Sequence, residues 1–372
     1  MKRTWRLCTI LVAALLAHGP PASAHWPDQA PHQIASLGEF RLEGGGVIEH
    51  LRMSYVTHGT LNAAKDNAIL SMHGFGLNHH QIDHLIGPGR PLDTDKYFII
   101  CPDQLGSTQT TFEHTTSPTN SGLKMNFPPY NGRDRVKAEY LLVTRALSIP
   151  RLLAVTGISL GAIHTVQFAV SYPDFMDGAI PIVGGTRVTT QASFFGAWMG
   201  SIIESCAGWS GGNYDENPKE CATNSLSVLI PYFYTRDWWE QYIDTPEAYT
   251  KWRNHWGDYY LDIQDTRDLY YLLLAFGRGW VGDTPGFHGD VNAALGSIKA
   301  RTLFIVSPQD QFWPPHSIEA DLKAIPNARA VWIDSVAGHL ICCNGDPQAT
   351  WVMGEAIRGF LQELSAQRQG VR

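Results

Sequence analysis

The sequence predicts an α/β fold: a mostly parallel sheet flanked by helices, with an inserted helical cap. Three observations predict it. Short, nearly continuous apolar runs alternate with helix-compatible segments, as in strands buried on both faces and joined by crossover helices. One run, Leu152 to Val155, leads into Gly157-Ile158-Ser159-Leu160-Gly161 and then a helix-compatible stretch from Ala162 to Val170, which reads as strand, sharp turn and helix. Between about Gly185 and Leu295 the strand-like runs stop, and tryptophan, tyrosine and helical periodicity take over. With 372 residues, 44% of them hydrophobic, the chain can bury a large core that carries an insertion.

Met1 to Ala24 is expected to be a signal peptide. Lys2, Arg3 and Arg6 precede an apolar run from Leu7 to Ala17, and Ala22-Ser23-Ala24 supplies small residues at the cleavage positions. The run is shorter than the ~20 residues that span a bilayer. A secreted or periplasmic protein is therefore expected, with no membrane partner after cleavage. Removing the segment takes away three positive charges and no negative one, so the net charge moves from −7 to −10. A strongly acidic balance argues against a nucleic-acid partner.

In chain order, residues up to about Phe40 read as irregular, with Pro27 and Pro31. Strands are expected at Val47 to Thr57 and at Asn67 to Met72, the second ending in His73-Gly74-Phe75-Gly76. Another buried strand is Tyr97 to Pro102. The polar stretch from Asp103 to Asn131 is a long loop of the kind that is usually functional or covered. A helix from about Arg133 to Leu147 delivers the chain to the Ser159 strand, and Gly178 to Val183 is the next strand. Residues 186–296 form the cap, set between core segments 25–185 and 297–372. The cap region holds Trp198, Trp209, Trp238, Trp239, Trp252, Trp256 and Trp280. Most of these and of the region's many tyrosines are expected to pack the cap against the sheet, and a minority of the aromatics to line an apolar or aromatic pocket. The sheet resumes at Arg301 to Ser307 and Ala330 to Ile333, and a last helix runs from Pro347 to about Leu364.

Six cysteines are present, and Cys8 leaves with the signal. Cys206 and Cys221 flank a polar, glycine-rich loop and are the best disulfide candidates in an exported protein. The adjacent Cys342 and Cys343 can form a vicinal disulfide or remain thiols, and Cys101 ends a strand as a small core residue.

The chemistry centres on Ser159. A serine hydroxyl is a weak nucleophile until a base takes its proton, and the base works best when a carboxylate fixes its tautomer. Asp310 lies just past the strand ending at Ser307, and His339 lies in a loop after the next strand. Ser159, Asp310, His339 is the chain order of α/β hydrolases. In that fold, backbone amides of Phe75, in the glycine-bearing turn after a central strand, and of Leu160, after the serine, make the oxyanion hole. No cofactor is expected. His73, His79, His80 and His84 with Asp83 lack a recognised ligand spacing, and no metal is expected there. Glu113 and His114 face either the pocket or solvent.

Gly87-Pro88-Gly89-Arg90-Pro91-Leu92-Asp93-Thr94-Asp95-Lys96-Tyr97-Phe98-Ile99-Ile100-Cys101-Pro102 resembles the homoserine O-acetyltransferase family of α/β hydrolases. Phe127-Pro128, Asp134-Arg135-Val136, Gly157 to Gly161, Tyr172-Pro173-Asp174, Asp310 with Phe312 and Pro314-Pro315, and Gly338-His339 extend the resemblance over about residues 45 to 185 and 298 to 345. It implies that Ser159 accepts the acyl group, His339 is the base and Asp310 orients it. The family's transferases commonly carry an aspartate directly after the catalytic histidine; here Leu340 stands there. Export also removes the chain from cytoplasmic acyl-coenzyme A. Both departures imply a small-molecule ester as substrate and water as acceptor, with acyl transfer to an acceptor other than homoserine as the alternative.

Overall fold

The computed structural model describes residues 30–107, 114–256, 264–279, 281–343 and 345–370. The expected signal peptide, Cys8, Glu113, Trp280 and the side chain of Trp256 lie outside the described residues.

An eight-stranded sheet organises the molecule, in the order β1-β2-β6-β3-β7-β8-β9-β10. Its strands are β1 (Gln33–Arg41), β2 (Val47–His58), β3 (Ala68–Met72), β6 (Phe98–Pro102), β7 (Leu152–Ile158), β8 (Met176–Ile182), β9 (Arg301–Val306) and β10 (Ala328–Trp332). Two-residue strands β4 (Ile86–Gly87) and β5 (Leu92–Asp93) pair separately. β1 pairs with β2, and β2 with β6, antiparallel; the rest of the sheet is parallel. Every residue of β3 and β7 is buried, which is why these strands read as nearly continuous apolar runs.

β1 corrects the expectation of an irregular segment before Phe40. Ala35, Leu37 and Phe40 are buried, but the register with β2 shifts on both sides of Gly38. A bulge breaks the period-2 alternation by which a strand is recognised in sequence.

The sheet is flanked by α1 (Gly132–Leu141), which a short π-helical turn extends to Ala146, and by α2 (Leu160–Ser171). Asn131 and Asp134 cap α1 reciprocally, each side chain accepting from the other's backbone amide. Between β8 and β9 the chain forms α3 (Thr190–Ser205), α4 (Lys219–Leu226), α5 (Ile230–Phe233), α6 (Arg236–Tyr242), α7 (Pro246–Trp256), α8 (Thr266–Ala275) and α9 (Val291–Gly296). Helix α10 (Pro315–Ala324) links β9 to β10, and α11 (Pro347–Gly370) closes the described chain. Cys206 and Cys221 form a disulfide joining the end of α3 to α4.

Candidate active site

Ser159 sits between the carboxyl end of β7 and the first turn of α2, with φ 56° and ψ −114°. A non-glycine residue in this region is strained, and the local packing holds it there. Its amide donates to the Ile182 carbonyl at 2.9 Å, and its own carbonyl accepts from Ala162. The two glycines of the motif are required by close backbone approach. A Cβ on Gly157 would lie 2.3 Å from the Gly161 oxygen, and one on Gly161 2.2 Å from the Met72 oxygen. The turn thus packs directly against β3, and the serine hydroxyl is the group left to project.

His339 and Asp310 meet that hydroxyl. The imidazole Nε2 lies 3.0 Å from Ser159 Oγ, and Nδ1 lies 2.8 Å from Asp310 Oδ2. With the proton on Nδ1 donated to the carboxylate, Nε2 is free to accept from the serine. The other carboxylate oxygen, Oδ1, accepts from the amides of Phe312 at 2.8 Å and Trp313 at 3.3 Å. Both Asp310 and His339 are buried. The Phe233 and Trp313 rings stack near the imidazole plane, and Phe312 meets it edge-on. Three aromatic walls leave the histidine one orientation.

The turn after β3 is fastened from behind. His73 Nδ1 donates to the Gly74 carbonyl at 2.8 Å, and Nε2 accepts from Ser107 Oγ at 2.7 Å and from the Gln104 amide. Gln81 Oε1 accepts from the Gly74 amide, and Gln264 donates to the Gly76 carbonyl. Burial, with Arg135 adding to it, lowers the His73 pKa to about 4, so the ring works as a neutral donor and acceptor. Phe75 lines the same cavity as Ser159, while the Leu160 side chain turns into the core and its amide opens α2 without an intrahelical acceptor.

The other histidines of this cluster are engaged in structural contacts. His79 pairs with Asp103 at 2.9 Å, His80 with Asp83 at 2.7 Å, and His84 Nε2 donates to the Cys342 carbonyl at 2.9 Å. Among the described residues, no three His, Cys, Asp or Glu side chains are grouped to hold a metal ion. His114, expected at the pocket or in solvent, lies at neither. It is fully buried, 2.7 Å from Thr116 Oγ1 and 2.5 Å from Asn120 Nδ2.

Above Ser159 and His339 is an apolar cavity of about 90 Å³. Phe195 and Met199 of α3, Phe233 of α5, Leu273 of α8 and Phe276 line its cap side. Leu340, Cys342 and Cys343 line its core side. A minority of the cap aromatics does line the pocket, as Phe195, Phe233 and Phe276, whereas the described cap tryptophans Trp198, Trp209, Trp238, Trp239 and Trp252 are absent from its walls. Trp209 and Trp238 are buried in cap packing, and Trp238 stacks on Tyr234. Among the described residues, Trp313, from the core after Asp310, is the tryptophan that does face the cavity. The cap residues missed from sequence carried a signal, since Phe195 and Met199 stand four apart on one helix face.

Residues 67–346 match the protein family described as alpha/beta hydrolase fold. The chain belongs to the α/β hydrolases. Among relatives of this α/β hydrolase, a probable esterase of Corynebacterium glutamicum is 30% identical over 316 residues, covering 84% of this chain and 90% of the relative. A homoserine O-acetyltransferase of Symbiobacterium thermophilum is 30% identical over 367 residues, covering 88% and 92%. The crystal structure of an acetylester hydrolase from Corynebacterium glutamicum superposes with a TM-score of 0.78 at 29% identity, covering 89% of this chain and 96% of that one. The acetyl esterase MekB superposes at 0.80 with 25% identity, covering 92% and 99%. The chain is thus an α/β hydrolase similar to both esterases and homoserine O-acetyltransferases.

Proposed function

We propose that this α/β hydrolase is an exported serine esterase that cleaves carboxylic esters with apolar groups through Ser159, His339 and Asp310. The observation that carries the reading is the relay of 3.0 and 2.8 Å contacts opening into a cavity where Leu340, an uncharged residue, follows the histidine. His339 takes the Ser159 proton as the oxygen attacks the ester carbonyl. The amides of Phe75 and Leu160 hold the tetrahedral oxyanion, each such donor contributing about 3 kcal/mol to lowering the barrier. His339 then hands its proton to the leaving alcohol, and a water activated by the same histidine releases the acid. No step calls for a cofactor.

The Ser159→Ala protein is expected to lose at least about 10⁴-fold in kcat on short p-nitrophenyl esters while keeping its fold. Activity at the unaltered rate would remove Ser159 from the mechanism. Export rests on the composition of residues 1–24. Periplasmic or secreted material is expected to begin at His25, and cytoplasmic retention of the uncut chain would contradict it.

The similarity to homoserine O-acetyltransferases favours a second reading, acyl transfer to an alcohol other than homoserine. Product analysis with an acyl donor, with and without candidate alcohols, separates the two. Free acid as the sole product supports hydrolysis; a new ester supports transfer.

A further inference from the structure

We propose that the disulfide between Cys342 and Cys343 is a positioning element of the active site, walling the cavity and holding the His339 segment, so that turnover depends on the oxidised pair. The proposal rests on the esterase reading.

The two residues are covalently joined and line the same cavity as Ser159 and His339. His339 and Cys342 belong to one short helical turn, Gly338–Cys342. Cys342 Sγ, which carries no proton in the disulfide, lies 3.6 Å from the His339 carbonyl oxygen. The Cys342 carbonyl is anchored by His84 Nε2 at 2.9 Å. The Leu340 carbonyl accepts from the amides of Cys343 at 3.1 Å and Gly345 at 3.2 Å. The cysteine pair thus holds the carboxyl end of this turn, while its start is held by the Gly338 amide on the Ser335 carbonyl at 3.0 Å and the Leu340 amide on the Ala337 carbonyl at 2.9 Å.

Global stability does not account for the bond. A disulfide constrains the unfolded chain in proportion to the loop it closes, and neighbouring cysteines close almost none. The Cys206–Cys221 bond, 15 residues apart in sequence, is the one with leverage on the unfolded state. What a vicinal disulfide does fix is local: its small ring locks the backbone torsions on both sides of one peptide bond. Here that peptide follows the catalytic base by three residues. The disulfide also gives the cavity an apolar, polarisable wall, where two free thiols would give rotatable, weakly polar ones.

Cys342 is buried and Cys343 half-buried, so a small dithiol reaches the bond through Cys343. Dithiothreitol would deliver two electrons and two protons, leaving as its cyclic disulfide while Cys342 and Cys343 become thiols. Reduced enzyme, with opening of the bond verified by alkylation and mass spectrometry, is expected to lose about ten-fold in kcat on p-nitrophenyl acetate. KM should change less than about three-fold, and reoxidation should restore the rate. The Cys342→Ala/Cys343→Ala protein should show the low kcat untreated and not respond to the dithiol. Because the dithiol also reaches Cys206 and Cys221, any response that variant does show belongs to the cap. Full kcat in verifiably reduced enzyme, or in the double variant, would overturn the proposal. If the double variant does not fold, the Cys206→Ala/Cys221→Ala protein, in which the dithiol opens only the Cys342–Cys343 bond, decides in its reduced and reoxidised states. An oxidised enzyme that cleaves no ester defeats the esterase reading itself, whereas one that is active but indifferent to reduction defeats only the role of the disulfide.

Discussion

At the scale of single residues, the strain at Ser159 is supported by what its neighbours lack. The left-handed backbone persists because Gly157 and Gly161 let the turn touch the Met72 and Gly161 carbonyls, leaving no room for a methyl group. Gly161→Ala is therefore expected to lower stability by at least about 2 kcal/mol, an overpacking cost taken by rigid backbone on both sides. Activity should fall with it, since the Met72 and His73 carbonyls it would strike lead into the turn bearing Phe75. Gly200→Ala, by contrast, adds a methyl in the interior of α3 where nothing lies within 4 Å, and should stabilise by about 0.5–1 kcal/mol. Urea midpoints of the two variants check the opposite signs. A Gly161→Ala protein as stable as the parent would contradict the packing account.

At the scale of elements, sequence legibility followed burial. β3 and β7 are covered on both faces, so their sequences are nearly continuous apolar runs, broken only by the buried Ser71 and Thr156, and their positions could be read directly. The helix after Ser159 and the strand ends bearing Asp310 and His339 were legible for a related reason, since the parallel sheet places chemistry at the carboxyl ends of its strands. β1 was not, because its bulge at Gly38 interrupts the alternation. The pocket was the least legible feature. Tryptophan abundance pointed to the cap, yet the walls are built by Phe195, Met199, Phe233 and Leu273, whose direction depends on how α3, α5 and α8 pack. The pairing of Cys342 with Cys343 was likewise open, because adjacency permits the bond without requiring it. Local pattern reports which residues are buried; it does not report which buried residues surround a cavity.

At the scale of the whole molecule, several histidines are buried as neutral rings far from solvent, and they contribute together to the acid sensitivity of the fold. Burial first, then the charge of Arg135, lowers His73 to about 4. Burial likewise lowers His114 to about 4 and pushes His164 well below its ordinary value. A histidine whose folded pKa is lowered contributes its stability in full above the unfolded value near 6.5 and loses it as pH falls toward 4, because the unfolded chain takes the proton first. A shift of this size is worth on the order of 3 kcal/mol per ring. The histidine contribution to the unfolding free energy should therefore fall between pH 6.5 and 4.5. His114 is the ring best suited to isolate, since it contacts Thr116 and Asn120 rather than the catalytic groups. His114→Gln keeps a neutral polar group there, costing about 1 kcal/mol at pH 7 through an imperfect hydrogen bond. Across pH 6.5 to 4.5 it should lose less stability than the parent, so that the two urea-midpoint curves converge or cross on the acid side. Parallel curves would mean that His114 takes its proton without unfolding, and that its burial does not contribute to the acid limit of this fold.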